Sequence, residues 1–501
     1  MDFTAHSNLV TADTVAFFKQ SHHMLIDGKW VDAISGARLE VHDPADEKQI
    51  ATVPAGDQHD IDLAVIAARK AFELGDWHHM RPAQRERLLL KLADLVEANA
   101  QSMAEIESID NGKSVTVARY VDVALTVDFF RYMAGWATKI EGTTNDVSAP
   151  FAPKNKFVAF TRKEPVGVVG AIVAWNFPLL LAAWKLGPAL ATGCTVVLKP
   201  AEQTPMSALR LGELIQEAGY PAGVVNIVTG YGHSAGAALA RHPGIDKITF
   251  TGSTEVGKMV GKAALENMTR ISLELGGKSP IIVLDDCDPA VAAAGAASAI
   301  FFNAGQVCCA GSRLYVHKKI FDRVVSDLSD LAVKMKVGSG LDPSTELGPL
   351  VSRAQMDRVC SYIDSGIEQG ASAASGGARF GSTGFFVQPT VLVDVNPMMR
   401  VVQEEIFGPV LVAMPYDDLD QVAAWANDTT YGLSASIWSN DLSRVHRLIP
   451  KIKAGTVWVN CHNILDSAMP FGGYKQSGMG REMGKTCLDA YTESKSVIMS
   501  V

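Results

Sequence analysis

The chain has 501 residues, 48% apolar and 20% charged, with a formal net charge of -9. This length exceeds the roughly 250 to 300 residues at which a single core stops growing, so at least two domains are expected. The acidic balance and the lack of a clustered basic face argue against nucleic-acid binding, and seven irregularly spaced cysteines provide neither a disulfide framework nor paired metal-ligand spacing.

Residues 1–20 carry acids and lack a basic segment followed by an apolar one, so no secretory or transit signal is read there and a cytoplasmic location is expected. Over 60–75 and 82–106 apolar residues recur at helical spacing, with Arg87, Lys91, Asp94 and Glu97 on the other faces, which predicts a helix-rich first third. The stretch 141–161 reads as a hairpin. Between 166 and 277 short apolar runs (VGVVGAIV, TVVLKP, VVNIVTG, KITFTGS, SLELGG) alternate with helical segments, the pattern of a doubly wound parallel α/β domain. Within it, the apolar stretch 178–195 is broken by Lys185, Gly187 and Pro188 and reads as a buried helix, not a membrane span. A second set of runs (SPIIVLD, RLYVH, TVLVDV, PVLVAMPY, ASIWS, TVWVN) predicts a second α/β domain. The apolar tail 491–501 would expose a strand edge unless paired, and with 141–161 it is read as an oligomerisation element.

The sharpest local feature is FFNAGQVCCAGSR, where Cys308 and Cys309 follow a Gly-Gln turn. A nucleophilic cysteine needs a lowered pKa and partial exposure, which a loop beside a helix end can supply; the alternative is a small buried hydrophobe. In LELGGKSP, Glu274 ends an apolar strand, a setting that raises a carboxyl toward the range of a general base, unless it serves a structural ion pair. In AWNFPLL, Asn176 ends a strand between two aromatics, where its amide suits an oxyanion or a simple turn. Gly252 and Gly257 bracket a strand-to-helix turn that could hold a pyrophosphate. Gly230, Gly232 and Gly236 resemble an ordinary turn. Lys199 and Glu202 close another strand, and a carboxylate there can bind a ribose and repel a 2′-phosphate.

Taken in order, WNFP, LKPAEQTP, FTGSTEVG, LELGGKSP, GQVCCAGSR, EEIFGPV, GTVWVN and PFGGYKQSGMGRE make the chain resemble the aldehyde dehydrogenase family from about Met24 to its end. The resemblance implies an NAD-binding domain (1–140 and 162–276), a catalytic domain (277–484) and a small β oligomerisation arm (141–161 and 485–501), assembled as a homo-oligomer, a tetramer by preference, with no nucleic-acid or membrane partner and no metal. It implies Cys308 as nucleophile, Glu274 as general base, Asn176 with the Cys308 backbone N–H as oxyanion donors, and Lys185 and Glu482 as a proton relay. The cofactor positions it implies are Ile172, Val173, Ala174, Trp175, Lys199, Glu202, Gly232, Phe250, Gly252, Ser253, Gly257, Leu275, Glu405 and Phe407, with NAD preferred over NADP through Glu202. Ala174 departs from the proline common in relatives. A glutamate at 274 favours hydrolytic members, whose product is a free acid, over coenzyme-A-acylating ones.

The positions implied to line the aldehyde tunnel, Phe177, Leu181, Trp184, Phe302, Val307, Leu465 and Phe471, are apolar, which favours a hydrophobic or aromatic aldehyde. The sequence offers no arginine for a second carboxylate. Trp184 and Phe471 leave an aromatic cage for betaine aldehyde open. The segments TRKEPVGVVG, VSRAQMDRVCSYID and VNCHNILDSAMPFGG are similar to bacterial phenylacetaldehyde dehydrogenases of aromatic-amine and styrene breakdown, so phenylacetaldehyde is the expected substrate, ahead of aliphatic aldehydes or benzaldehyde. His462 is expected to be a packing residue. Two other outcomes are a non-catalytic protein on the same fold and a thiol esterase using Cys308 and Glu274.

Overall fold

The computed structural model describes residues 8–501; residues 1–7 of the stretch read above for a targeting signal lie outside them. The short apolar runs are buried strands. Every residue of Val168–Ile172, Thr195–Lys199, Val225–Ile227 and Lys247–Thr251 is buried, as expected for parallel strands covered on both faces. Alternate side chains enter different cores: Val169, Ala171, Val196 and Leu198 pack in one cluster, Val168, Ile172 and Val197 in the other, following the two-residue period of a strand.

In this sheet the spatial order is Gly478–Met479, Arg270–Glu274, Lys247–Thr251, Val168–Ile172, Thr195–Lys199, Val225–Ile227, Met24–Ile26, Lys29–Val31. The chain starts at Val168–Ile172, steps outward through two parallel neighbours, then returns to the other side at Lys247–Thr251. That reversal opens a crevice beyond the carboxyl ends of Val168–Ile172 and Lys247–Thr251, the usual place for a ligand in such sheets. The antiparallel strands at the two edges were not expected, since strands of two or three residues carry too few positions to show alternation; the separate pair Arg38–His42 and Gln49–Pro54 was missed although Arg38–His42 alternates exposed and buried.

The second sheet runs Ser372–Ser375, Thr390–Val393, Val410–Tyr416, Gly311–His317, Ser279–Val283, Ser434–Trp438, Thr456–Val459. It is parallel except at Ser372–Ser375. Leu275 to Lys278 therefore lead directly from the strand that ends at Glu274 to a central strand of the other sheet, so this loop lies where the two sheets face each other.

The helix Pro178–Thr192 is buried at all 15 positions. Proline at its first turn and left-handed Gly193 (φ 99°) at its end bound it. Among the described residues no helix is long and apolar enough to cross a membrane. The tail strand Thr492–Ser500 is paired along its whole length with Phe157–Pro165, which also pairs with Thr144–Asn145. The hairpin thus forms, but its long strand runs through the expected boundary at 161/162, because pairing with the tail continues to Pro165.

Candidate active site

Cys308 follows the helix Pro289–Phe301 and a tight turn in which Asn303 (φ 48°), Ala304 (φ 52°) and Gly305 (φ 71°) are all left-handed. Such conformations cost about 1 to 3 kcal/mol each outside glycine and persist where surroundings impose them. At Gly305 a Cβ would stand 2.0 Å from the Gly408 carbonyl oxygen, and at Gly277 a Cβ would stand 2.3 Å from that of Cys308. The turn is bonded to Asn176: the Asn176 Nδ2 donates to the Gln306 carbonyl (2.9 Å), and Asn303 Nδ2 donates to the Asn176 carbonyl (3.0 Å). An amide nitrogen has two N–H donors, so one stays free in the cavity that Asn176 and Cys308 both line.

The Cys308 thiol is half-buried. A hydrogen bond with the Cys309 thiol, then loss of solvent and the Glu405 charge, push it well above the ordinary thiol value. This corrects the expectation of a lowered value: the groups acting on the sulfur are a second thiol and a carboxylate, not a cation. His462 supplies no charge either. It is buried, held to about 4 by desolvation, and spans Ser436 Oγ (2.9 Å) and the Cys309 carbonyl (2.8 Å), a packing role as expected.

Glu274 ends its strand inside the same cavity, and neither carboxylate oxygen has a hydrogen-bond partner among the described residues. Burial first, then the Glu482 charge, raise its carboxyl well above the ordinary value, with Lys185 opposing. Lys185 Nζ lies 2.6 Å from Glu482 Oε1, both buried, and Thr249 Oγ1 donates to the same oxygen at 3.2 Å. The two residues read above as a proton relay are therefore brought together close to Glu274.

A cleft of about 520 Å³ lies at the crevice between the reversed strands, lined by Ile172, Val173, Ala174, Trp175, Lys199, Glu202, Gly232, Phe250, Gly252 and Ser253. Ser253 caps the helix Thr254–Glu266, accepting from the Val256 N–H, so a helix N-terminus opens on the cleft. Glu202 accepts from Lys199 Nζ at 2.8 Å and from the Gly232 N–H at 3.3 Å. Burial opposes its ionisation, yet Lys199 and these hydrogen bonds hold it below the usual value. An ionised carboxylate there, a helix terminus and apolar walls fit a dinucleotide lacking a 2′-phosphate. Gly257 lines neither cavity; it is buried where a Cβ would meet Leu275 at 2.3 Å. It acts by close packing beneath Leu275, itself a cavity residue.

The adjoining cavity, about 260 Å³, holds Cys308, Asn176, Glu274, Leu275, Glu405 and Phe407 together with all seven expected tunnel residues. Glu405 Oε1 accepts from the Gly277 N–H at 2.9 Å and burial lifts its carboxyl to about 7. Phe407 is left-handed (φ 60°) and sits edge-on to Trp175 at 5.1 Å. Residues missed from sequence also line it: Val121, Leu125, Leu180, Gln355, Arg358 and Asn463. Gln355 donates to the Phe407 carbonyl (2.8 Å) and Arg358 to that of Glu405 (2.9 Å). An arginine thus does reach the cavity, but beside the Glu405 backbone. Only a pairing with EEIFGPV, far along the chain, could have signalled either residue.

A thiol, an orphaned buried carboxyl and an amide donor thus lie together beside a dinucleotide-type cleft. Residues 30–497 match the profile of the aldehyde dehydrogenase family. The chain is 50% identical over 488 residues, 97% of each chain, to a Bacillus subtilis (strain 168) protein bearing an aldehyde dehydrogenase name. It is 49% identical to the phenylacetaldehyde dehydrogenase of Pseudomonas fluorescens over 99% of each. The NAD+ complex of an aldehyde dehydrogenase from Bacillus cereus superposes with a TM-score of 0.96 at 48% identity, covering 98% of this chain and 99% of that one. The chain belongs to the aldehyde dehydrogenase family and is an NAD-dependent enzyme that oxidises aldehydes.

Proposed function

We propose that the protein oxidises phenylacetaldehyde to phenylacetate. The observation that carries this reading is the lining of the Cys308 cavity: Phe177, Leu181, Trp184, Phe302, Val307, Leu465 and Phe471 meet there without a charged side chain among them. Phe177 and Phe302 are nearly parallel, with centroids 6.2 Å apart and planes at 21°, a surface that suits a flat ring. The Pseudomonas fluorescens relative bears that activity in its name.

In this reading the Cys308 thiol gives its proton to the Glu274 carboxylate, which releases it toward the Lys185–Glu482 pair; the sulfur attacks the aldehyde carbon, and the oxygen that becomes negative is held by the free Asn176 N–H and the Cys308 backbone N–H. NAD held by the cleft residues supplies the hydride acceptor. Glu274 then takes a proton from the water that cleaves the resulting thioester, releasing the free acid. The Lys185–Glu482 pair lies behind Glu274 to receive that proton. The end of the arm strand, with Ile498 and Met499 exposed and Val501 exposed just beyond it, supports a homo-oligomer, taken here as a tetramer.

A second reading rests on Trp184 and Phe471, whose rings lie 5.5 Å apart at 55°, a corner able to hold a quaternary ammonium. The test is NADH formation from phenylacetaldehyde, hexanal, benzaldehyde and betaine aldehyde by wild type and Cys308→Ala. The highest kcat/KM with phenylacetaldehyde and a silent variant are expected. A clear preference for betaine aldehyde or hexanal overturns the assignment.

A further inference from the structure

Beneath the aldehyde cavity lies a charged cluster that the steps above do not use. Lys113 Nζ is 2.9 Å from Glu107 Oε1 and 2.6 Å from Asp122 Oδ2, and all three side chains are without exposure. An ammonium has three N–H donors. Two go to these carboxylates, and Nζ also stands over the Phe177 ring, 4.3 Å from its centroid.

The partners lead to two walls of the pocket: Phe177, the N-cap of helix Pro178–Thr192, and Glu107 lead to that helix, Asp122 to the turn before Ala124–Trp136. Phe177 lines the cavity itself. Asp122 sits in the π-helical turn Ala118–Val123, from which Val121, and just beyond it Leu125, face the aldehyde; such turns recur where a helix is bent for function. The other Glu107 oxygen accepts from the Leu179 N–H at 3.2 Å, in the first turn of the helix that contributes Leu181 and Trp184. Burying three charges is costly unless the arrangement is used, and Asp122 Oδ1 has no partner among the described residues.

We infer that Lys113 is the positioning residue that sets the aromatic wall of the aldehyde pocket. Its ammonium holds the Phe177 ring by one face and, through Asp122 and Glu107, locks both helical walls to it, so that ring-bearing aldehydes are preferred over short aliphatic ones. The inference rests on the assignment of this cavity to the aldehyde.

The test measures kcat and KM for phenylacetaldehyde and acetaldehyde, KM for NAD, and the rate of Cys308 alkylation by iodoacetamide. The proteins are wild type, Lys113→Met, Phe177→Leu and the double variant. Lys113→Met is expected to raise KM for phenylacetaldehyde about tenfold while KM for acetaldehyde, KM for NAD and alkylation move less than about twofold. In the Phe177→Leu background the same change should alter the aldehyde ratio no further, since the two act as one unit. Equal losses on both aldehydes, slower alkylation, or additive effects with Phe177→Leu overturn it. Should Lys113→Met fail to fold, because it leaves two carboxylates unpaired, Asp122→Asn keeps the shape and should shift the ratio in the same direction; an unchanged ratio overturns the inference. Wild type that does not favour phenylacetaldehyde over acetaldehyde defeats the substrate assignment alone, and Lys113 is then judged by the Phe177 cycle with the best aldehyde found.

Discussion

Lys185 Nζ and Glu482 Oε1 are 2.6 Å apart although 297 positions separate the residues, and both side chains are buried against the cavity that holds Glu274. Burial raises the Glu274 carboxyl most, Glu482 adds to this and Lys185 opposes it, so the pair tunes the pH at which Glu274 ionises. Glu482→Gln removes a like charge and should move the acid limb of the kcat profile to lower pH. Lys185→Met removes the opposing cation, should move that limb to higher pH, and should cost about 3 to 5 kcal/mol of stability by leaving Glu482 uncompensated. Profiles and denaturant melts of both variants check the opposite signs.

Asn176→Ala should lower kcat by about 10² to 10³ with little change in KM for NAD, the loss typical of one oxyanion donor. The variant also removes the bond to the Gln306 carbonyl, so the alkylation rate of Cys308 should be measured beside it. An unaltered alkylation rate with a fallen kcat assigns the loss to the oxyanion and not to a displaced turn.

Glu405 has its carboxyl lifted by burial to about 7, opposed by the Gly277 N–H. A carboxylate accepts hydrogen bonds from a ribose better than a carboxylic acid does. The Kd for NAD, read by quenching of protein fluorescence, is therefore expected to rise as pH falls through about 7. In Glu405→Gln the dependence should flatten and binding stay weak at all pH values.

Glu202 is ionised beside Lys199 in the cleft. Glu202→Ser removes the charge that repels a 2′-phosphate and frees Lys199 to attract one. The ratio of kcat/KM for NADP over NAD should rise about tenfold or more, equivalent to about 1.4 kcal/mol. No change in the ratio would show that the phosphate position lies elsewhere.

The sequence alone determined the local part of this protein. Strands such as Val168–Ile172 and Thr195–Lys199 are continuous apolar runs because they are covered on both faces, and Asn176, Glu274 and Cys308 stand in short motifs whose residue types already name their chemistry. Tertiary structure decided what depends on distant pairings. The reversal of strand order that opens the cofactor crevice, the partnering of the tail by Phe157–Pro165 and the pocket residues Gln355 and Arg358 carry no local signal. Edge strands of two or three residues are too short to show a period. The raised Cys308 thiol was misjudged for the same reason: a pKa depends on which charges and how much solvent surround the sulfur, and those are set by the contact of Cys309, Glu405 and the cavity walls in space. The Lys113 cluster joins Glu107, Asp122 and Phe177, and only the fold sets its ammonium against that ring.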